Sequence, residues 1–357
     1  MDAVAIWQER IRVAVANGGA LAIRGSGSKD FYGETIRGDL LDTSNYAGIV
    51  DYEPNELVVT ARAGTTLEDM ERTLAASGQM LAFEPPQFGP GATLGGAIAT
   101  GLSGPRRPYA GAARDLVLGM RIIDGRGDDL TFGGRVMKNV AGFDVTRLLT
   151  GALGTLGVIA EVSLKCLPLP RQEATRTFAL STDEAIRRVN EWGGQPLPLS
   201  ATAFVQGRLF VRWSGAAPAV ESAIARMGGD ALADGGAFWR SIRDHAHPFF
   251  DEARKPEHVL WRLSVKSTAP YADLGGHQLI EWGGALRWLV TTPSNAPERL
   301  RAWAQSHGGH ATLFYATNKS QGVFHPLPPA MEAIQRRLKA EFDPHRVLNP
   351  GRMYAMF

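Results

Sequence analysis

The residues best placed to do chemistry lie in a glycine-rich stretch, 85–111, which reads PPQFGPGATLGGAIATGLSGPRRPYAG. It contains seven glycines, no carboxylate and the adjacent pair Arg106 and Arg107. Glycine leaves backbone N–H groups open to a ligand because no Cβ stands in the way. The stretch therefore predicts a site for a flat or phosphorylated ligand. The alternative is a long surface loop, but a structureless loop of this length is uncommon in a compact domain unless it binds something.

A short helix is predicted to begin at Thr93 within this stretch. Threonine is a favourable N-cap residue, and the first N–H groups of a helix, together with the positive end of its dipole, favour an anion. We therefore expect free N–H groups at the start of this helix to face an anionic ligand.

A second loop, Arg24-Gly-Ser-Gly-Ser-Lys29, follows a short apolar strand. It lacks the third glycine of a dinucleotide fingerprint and the pattern of a phosphate-binding P-loop, which excludes both motifs. Its backbone donors and two flanking cations suit a pyrophosphate. The competing interpretation is a plain turn with two solvated cations.

Composition narrows the class of protein. The 357 residues carry 38 basic and 36 acidic side chains, a net charge of +2 that gives no footprint for nucleic acid. The single cysteine, Cys166, excludes an intramolecular disulfide, a CxxC zinc site and an iron–sulfur cluster held by this chain alone. We predict no metal site. No apolar run approaches the ~18 residues of a membrane span, and we expect a cytoplasmic protein.

Length and periodicity predict two α+β domains, with the change near Arg171. In the first, helices are expected at 4–15, 65–78 and 145–150, and strands at 21–24, 56–63, 115–123, 129–132 and 158–167. In the second, helices are expected at 181–192, 217–227 and 297–306, and strands at 202–213, 259–267, 285–291 and 311–316. A last helix is expected from Pro329 to near Phe342. The first of these helices should bury Val4, Trp7, Ile11 and Val15, and the second should begin with a capping box at Thr65.

Several motifs, taken together, resemble the FAD-linked oxidases of the vanillyl-alcohol-oxidase type, also called PCMH-type. They are 24–29, Gly89-Pro-Gly-Ala-Thr-Leu-Gly-Gly96, Gly142-Phe-Asp144, Gly154-Thr-Leu-Gly-Val-Ile159 and Phe342-Asp-Pro…Leu348-Asn-Pro-Gly351. The sequences of 88–109, 238–243 and 307–314 are similar to those of the FAD-binding E subunits of bacterial glycolate oxidase (glycolate dehydrogenase). The resemblance covers essentially the whole chain.

The resemblance implies a two-lobed FAD-binding domain at 1–170, an α+β cap domain at 171–328 and a C-terminal segment, 329–357, that packs back on the FAD domain. It places 25–29 and 92–96 along the pyrophosphate, Gly101, Ser103 and Gly104 near the isoalloxazine, and 154–159 near the adenosine half. The cofactor-binding residues expected on this basis are Arg24, Gly25, Ser26, Gly27, Ser28, Lys29, Pro86, Ala92, Thr93, Leu94, Gly95, Gly96, Gly101, Ser103, Gly104, Gly154, Thr155, Gly157, Val158, Ile159 and Asn349.

Two departures from the family pattern bear on chemistry. Ser28 stands where covalent relatives carry a flavin-linking histidine, so we expect noncovalent FAD. Relatives also carry a histidine-rich metal and substrate site in the cap, whereas this chain offers only the pairs His245 with His247 and His307 with His310.

The catalytic base is not identified by the sequence. Arg243, Arg262 and His310 are the weak catalytic candidates, and Lys266 is a further cation for a substrate carboxylate. For each of these residues the alternative to a functional role is a structural one, as a histidine with local hydrogen bonds or as a solvated surface cation. Trp239, Trp261 and Trp282 are expected in the core.

The leading functional hypothesis is the FAD-binding subunit of a 2-hydroxy-acid oxidase complex that oxidises glycolate to glyoxylate. The resemblance implies two partners, a catalytic FAD-binding subunit and an iron–sulfur subunit, with the complex at the inner membrane. Two alternatives remain open, namely a self-sufficient flavin oxidase and a scaffold subunit with structural FAD. In all three, redox chemistry belongs to the cofactor, and the protein supplies position and electrostatics.

Overall fold

The computed structural model describes residues 2–134 and 144–357. It divides into two compact units, and both mix helices with sheet, so the predicted α+β class is confirmed. The first unit comprises Met1–Leu102, Ala112–Leu169 and Pro326–Phe357, and the second comprises Ser103–Gly111 and Pro170–His325. Most of the segment 138–144, including Gly142 and Phe143 of the quoted motif, lies outside the described residues.

The elements of the described chain are numbered here in chain order. The helices are α1 (Ala3–Asn17), α2 (Leu67–Ala76), α3 (Leu94–Thr100), α4 (Arg107–Ala110), α5 (Ala113–Leu116), α6 (Thr146–Leu149), α7 (Thr182–Gly193), α8 (Ala217–Met227), α9 (Gly235–Arg243), α10 (Pro248–Ala253), α11 (Pro297–Ser306) and α12 (Pro329–Phe342). The strands are β1 (Leu21–Arg24), β2 (Asp39–Asp42), β3 (Ile49–Glu53), β4 (Val58–Arg62), β5 (Gln79–Met80), β6 (Val117–Ile123), β7 (Asp129–Gly133), β8 (Val158–Lys165), β9 (Leu167–Pro168), β10 (Gln172–Ala179), β11 (Leu199–Val205), β12 (Arg208–Gly215), β13 (Asp230–Ala231), β14 (Val259–Ser264), β15 (His277–Glu281), β16 (Leu286–Thr291) and β17 (His310–Tyr315). Short 3₁₀ turns occupy Pro54–Glu56 and Trp282–Gly284.

The first unit is built on an antiparallel sheet in the order β3-β4-β8-β6-β7. Helix α1 packs its buried face, with Trp7 and Ile11, into a core shared with Val158 of β8. Asp2 caps this helix and Gly18 ends it in the left-handed conformation. Ala14 is buried where the sequence predicted Val15, which is only half-buried.

Two predictions in this unit were wrong by a short shift. Helix α2 is capped by Thr66, whose hydroxyl accepts from the Asp69 N–H at 3.0 Å. Thr65 instead exchanges hydrogen bonds with the Gly48 backbone at 2.9 and 3.1 Å. The strand predicted from 115 begins at Val117, because the residues before it form the single turn α5.

The second unit is an antiparallel sheet in the order β13-β10-β12-β11-β15-β16-β14-β17. Helices α7 and α8 pack into one cluster of the core and α11 into another. The strand predicted at 202–213 is in fact the hairpin β11–β12. Gln206 and Gly207 both have positive φ, 51° and 75°, which is the backbone that a two-residue hairpin turn requires.

Several elements have no counterpart among the sequence predictions. The strands β2, β3, β10 and β15 and the helices α9 and α10 are of this kind. Trp239, Trp261 and Trp282 are buried, as expected. None of the described helices combines the length and apolar character that crossing a bilayer requires.

The end of the chain is fixed in the first unit by a buried ion pair. Lys339 of α12 lies 2.6 Å from Asp343, and both side chains are almost completely buried. The Lys339 ammonium also donates to the carbonyls of Thr155 and Leu348 at 2.7 and 3.0 Å. Burial lowers the pKa of Lys339, whereas the negative charge of Asp343 opposes this shift. Asp343 in turn accepts the N–H groups of Val347 and Leu348, so the turn after α12 is held by one carboxylate.

We expect Asp343→Asn to lower the free energy of unfolding by about 3–5 kcal/mol, because Lys339 would remain buried without a counter-ion. Chemical denaturation followed by circular dichroism measures the loss. Glu332→Gln is the matched control, since it breaks the exposed Glu332–Arg336 pair of the same helix and should cost under about 0.5 kcal/mol. Equal losses for the two variants would contradict a special role for the buried pair.

Candidate functional site

Two adjoining cavities lie in the first unit. They enclose about 500 and 380 Å³ with their open mouths included. The residues that line both are Ile23, Gly25, Gly96, Ala99, Leu153 and Asn349. The cavities therefore form one continuous candidate site between β1, α3 and the loops that follow them.

The first cavity is lined by the complete loop 24–29. The N–H groups of Gly25, Ser26 and Gly27 donate no hydrogen bond to any described residue. Gly27 has φ of 79°, a left-handed conformation that glycine adopts at little cost. Three consecutive donors in such a turn are suited to an anion.

The charges around the first cavity are mostly positive. Its charged lining residues are Arg24, Lys29, Arg352 and Asp30, three cations and one carboxylate, for a net charge of +2. Lys29 is 7% exposed and its ammonium lies 3.5 Å from the Gln87 carbonyl. Arg352 donates to the carbonyls of Asp30 and Glu34. This charge matches a ligand that carries two negative charges.

Helix α3 begins at the cavity, and its N-cap is the predicted Thr93. The Thr93 hydroxyl accepts the Gly96 N–H at 3.2 Å. The expectation of free N–H groups at this helix start is wrong, however, because Leu94 and Gly95 donate to the carbonyls of Thr65 and Ala63, each at 2.8 Å. Packing against the segment that follows β4 uses these donors, so the N–H groups that remain available to a ligand among the described residues here are those of Gly25, Ser26 and Gly27.

The two glycines at the start of α3 serve different purposes. A Cβ on Gly95 would lie 2.7 Å from the Cβ of Ala63, so this glycine allows the helix to pack against the sheet. A Cβ on Gly96 would meet only the Thr93 hydroxyl, at 3.2 Å. Gly96 lines both cavities and is therefore the glycine that keeps the site open.

Asn349 joins three segments at the second cavity. Its side chain accepts the Ile23 N–H at 2.8 Å and donates to the Leu153 carbonyl at 2.7 Å. Its own N–H donates to the Leu21 carbonyl at 2.9 Å. A Cβ on Gly154 would lie 2.8 Å from the Asn349 amide nitrogen, so only glycine fits beside it. One side chain thus fixes the distance between β1 and the 153–154 turn.

The second unit brings two of the three catalytic candidates together. Arg262 on β14 and Arg107 both lie over the Trp282 ring, at 5.2 and 4.4 Å from its centroid. His310 is on the neighbouring strand β17. His310 remains accessible to solvent, but partial burial, together with the positive charges of Arg262, His325 and Arg107, lowers the pKa of its imidazole to about 4. The ring is therefore neutral at neutral pH.

The third catalytic candidate and the other paired histidines are engaged in local structure. Arg243 pairs with the adjacent Asp244 at 2.9 Å. His245 is buried and stacked on Phe250, and burial lowers its pKa well below the usual value. His247 accepts the N–H of Phe249 at the start of α10, and His307 lies 2.8 Å from the Trp303 carbonyl. Within 2–134 and 144–357, no three His, Cys, Asp or Glu side chains are grouped closely enough to hold a metal ion.

Comparison with known proteins gives two matches that bear on identity. Residues 4–133 match the family described as an FAD binding domain. Over 347 residues the chain is 45% identical to the glycolate oxidase subunit GlcE of Escherichia coli (strain K12), with 97% of this chain and 96% of that protein covered.

The chain belongs to the GlcE family of glycolate oxidase subunits. The resemblance found in the sequence and the prediction of FAD as cofactor are both confirmed. A shorter match, 33% identity over 127 residues, links this GlcE homologue to the glycolate oxidase subunit GlcD of Bacillus subtilis (strain 168), covering 36% of this chain and 27% of that protein. Among solved structures, an alkyldihydroxyacetonephosphate synthase superposes on 96% of this chain and 74% of its own with a TM-score of 0.66 at 15% identity, which shows a shared fold.

The chemistry of the first cavity in this GlcE homologue fits FAD. The FAD diphosphate carries two negative charges, the cavity lining carries a net charge of +2, and the loop supplies unsatisfied N–H donors. The loop and the start of α3 both fall within the matched residues 4–133.

Many of the residues predicted to bind cofactor line the two cavities. They are Arg24, Gly25, Ser26, Gly27, Ser28, Lys29, Thr93, Gly95, Gly96, Gly154, Gly157, Ile159 and Asn349. Six other predicted residues do not line the cavities. Leu94, Val158, Pro86 and Ala92 are buried. The Thr155 carbonyl accepts a hydrogen bond from the Lys339 ammonium, and Gly101 ends α3. Ser103 and Gly104 belong to the second unit, where the Gly104 carbonyl accepts the Trp282 N–H at 3.1 Å.

Sequence reasoning missed a comparable set of lining residues. They are Ile23, Asp30, Ile36, Thr43, Ala63, Ala99, Thr100, Leu153 and Arg352. Most are ordinary side chains whose type carries no signal for a ligand. Arg352 was detectable, because it directly follows the Asn349-Pro-Gly351 motif.

We expect Gly95→Val and Gly96→Val to fail in different ways. The first should lower the melting temperature through its clash with Ala63, and Ala63→Gly should restore part of the loss. The second should fold normally but bind FAD about tenfold or more weakly, equivalent to at least about 1.4 kcal/mol. Thermal unfolding and the absorbance of retained flavin separate the two effects. Full flavin retention by Gly96→Val would show that these cavities are not the cofactor site.

Proposed function

We propose that this GlcE homologue is the FAD-binding subunit of a glycolate oxidase complex, which oxidises glycolate to glyoxylate and passes the electrons to partner subunits. The observation that carries the proposal is the 45% identity over nearly the full length of both chains. Because the match extends through both units, it supports a shared role and not merely a shared cofactor domain. The partners proposed are a catalytic FAD-binding subunit, of the kind named GlcD, and an iron–sulfur subunit.

Within this proposal the first unit is a two-lobed PCMH-type FAD domain and the second is its cap, with boundaries near 1–170 and 171–328 and with 329–357 completing the FAD domain. The loop 24–29 would hold the pyrophosphate, because its free N–H groups and cations match that group. The glycine-lined second cavity, at Gly154, Gly157 and Ile159, would take the adenosine half. Gly101, Ser103 and Gly104 remain our proposal for the isoalloxazine.

FAD, when bound, accepts the two electrons removed from a 2-hydroxy acid. The protein's own residues neutralise and position the cofactor: Arg24, Lys29 and Arg352 balance the diphosphate, and Gly96 leaves space for the ligand. With one cysteine, the chain cannot bind a cluster that would take the electrons onward. This supports transfer to partners. The family resemblance leads us to propose that the complex works on the cytoplasmic side of the inner membrane.

A self-sufficient oxidase is the second candidate, and one observation favours it. Arg262 and Arg107 beside Trp282 form a cationic patch suited to a substrate carboxylate, and His310, whose charge state they influence, presents an unprotonated ring nitrogen at neutral pH. These residues are the basis for retaining Arg262 and His310 as candidates for substrate chemistry.

We expect FAD to be bound without a covalent link, because serine at position 28 offers no imidazole for attachment. Acid precipitation of the yellow protein should release all flavin into the supernatant, where its absorbance is read. Flavin that stays with the washed precipitate would refute this prediction.

We expect glycolate-dependent dye reduction by the purified assembly but not by this chain alone, since the proposal places glycolate oxidation in the partner catalytic subunit. Peroxide formation is measured in parallel. Arg262→Gln is tested in both preparations. Arg254→Gln is the charge control, because Arg254 is an exposed cation of the same unit. Strong peroxide formation by the isolated chain, lost in Arg262→Gln, would favour the self-sufficient oxidase. Assembly activity unaffected by removing FAD from this subunit alone would favour a scaffold role.

A further inference from the structure

We propose that Asp30 sets the affinity of the first cavity for a diphosphate, because it competes with that ligand for Arg24. The inference rests on the proposal that the loop 24–29 holds the FAD pyrophosphate. It assigns an affinity-determining role to a carboxylate in a site that otherwise carries only cations and neutral groups among its described lining residues.

The Arg24–Asp30 pair is built into the wall of the cavity. The Arg24 guanidinium lies 2.6 Å from the Asp30 carboxylate, and both residues line the cavity. The Asp30 N–H donates to the Gly27 carbonyl at 3.0 Å, which fixes the carboxylate at the end of the loop.

Gly27 allows the guanidinium to lie over the loop. A Cβ at this position would lie 2.3 Å from an Arg24 guanidinium nitrogen, so any other residue would push the arginine away. The guanidinium therefore rests against the turn whose N–H groups donate to no described residue. A diphosphate bound to those N–H groups would meet the same guanidinium that Asp30 holds.

The three cations of the cavity are not equivalent. Arg352 is held by the backbone carbonyls of Asp30 and Glu34, and Lys29 lies near the Gln87 carbonyl and the Ser28 hydroxyl. Arg24 forms a direct ion pair with the Asp30 carboxylate, and the negative charges of Asp30 and Glu34 also act on Arg352. Its side chain is 44% exposed and that of Asp30 is 36% exposed, so both can reorient at modest cost.

Removing the Asp30 charge should strengthen diphosphate binding for two reasons. Arg24 becomes available to the ligand, and the repulsion between a carboxylate and the diphosphate disappears. The opposite expectation would hold if Asp30 served mainly to orient Arg24 toward the ligand, since Asp30→Asn would then weaken binding. Stronger or weaker binding by Asp30→Asn therefore distinguishes competition for Arg24 from orientation of Arg24.

The experiment is a titration of the full chain, stripped of flavin, with FAD and with ADP at low ionic strength. Asp30→Asn should lower both dissociation constants about five- to tenfold, and the gain should shrink at high salt because the charges are half-exposed. Riboflavin, which has no phosphate, should bind equally to both proteins. Asp39→Asn is the matched control, since it removes an exposed carboxylate that does not line the cavity.

A double-mutant cycle with Arg24→Gln tests whether the effect of Asp30 on affinity acts through Arg24. In the Arg24→Gln background, Asp30→Asn should bring only the smaller gain that comes from removing the repulsion between the carboxylate and the diphosphate; a gain of the same size as in the parent protein would overturn competition for Arg24. Unchanged or weaker binding of FAD and ADP by Asp30→Asn alone would also overturn it. Retention of full FAD affinity by Gly96→Val would instead refute the location of the cofactor, so the two failures are distinguishable.

Discussion

The candidate site depends on the buried ion pair between Lys339 and Asp343. This pair holds the turn after α12, and that turn presents Leu348 to β1 and Asn349 to the second cavity. A charged pair with almost no exposure is tolerated because backbone groups satisfy both partners: two carbonyls for the ammonium and two N–H groups for the carboxylate. The segment after α12 therefore forms part of the cavity wall through Asn349 and Arg352.

The glycines of the candidate site serve two different purposes, namely close packing of the scaffold and access for a ligand. Some glycines provide close packing of the scaffold, as Gly95 does against Ala63 and Gly154 does against Asn349. Others leave space or donors for a ligand, as Gly96 and Gly27 do. The N–H groups of Leu94 and Gly95 at the start of α3 are used in packing, whereas those of Gly25, Ser26 and Gly27 donate to no described residue and lie beside the cations of the first cavity.

The second unit shows a similar division among its charged and aromatic residues. His245 and Arg243 are engaged by neighbours in their own segment, whereas Arg107 and Arg262 lie over Trp282 from separate elements and their charges act on His310. Partial burial lowers the pKa of His310, and the positive charges of Arg262, His325 and Arg107 lower it further, so the ring is neutral at neutral pH.

The sequence by itself determined the features that depend on neighbouring residues. The loop 24–29, the N-cap at Thr93 and helices such as α8 and α11 follow from local composition, whereas the cofactor class follows from the family resemblance that the order of the motifs carries. The prediction of one strand at 202–213 was wrong although Gln206, Gly207 and Arg208 interrupt the apolar run at the turn of the β11–β12 hairpin.

Only the tertiary structure decided which groups face the ligand. Asn349 and Arg352 reach the cavity from more than 300 positions beyond Ile23 and Asp30, and no local pattern encodes such a contact. The different roles of Gly95 and Gly96 depend on which side of α3 meets Ala63, and the loss of free N–H groups depends on carbonyls from another strand. Packing between distant segments assigns each donor and each charge its partner, and that assignment turns two glycine-rich loops into one site.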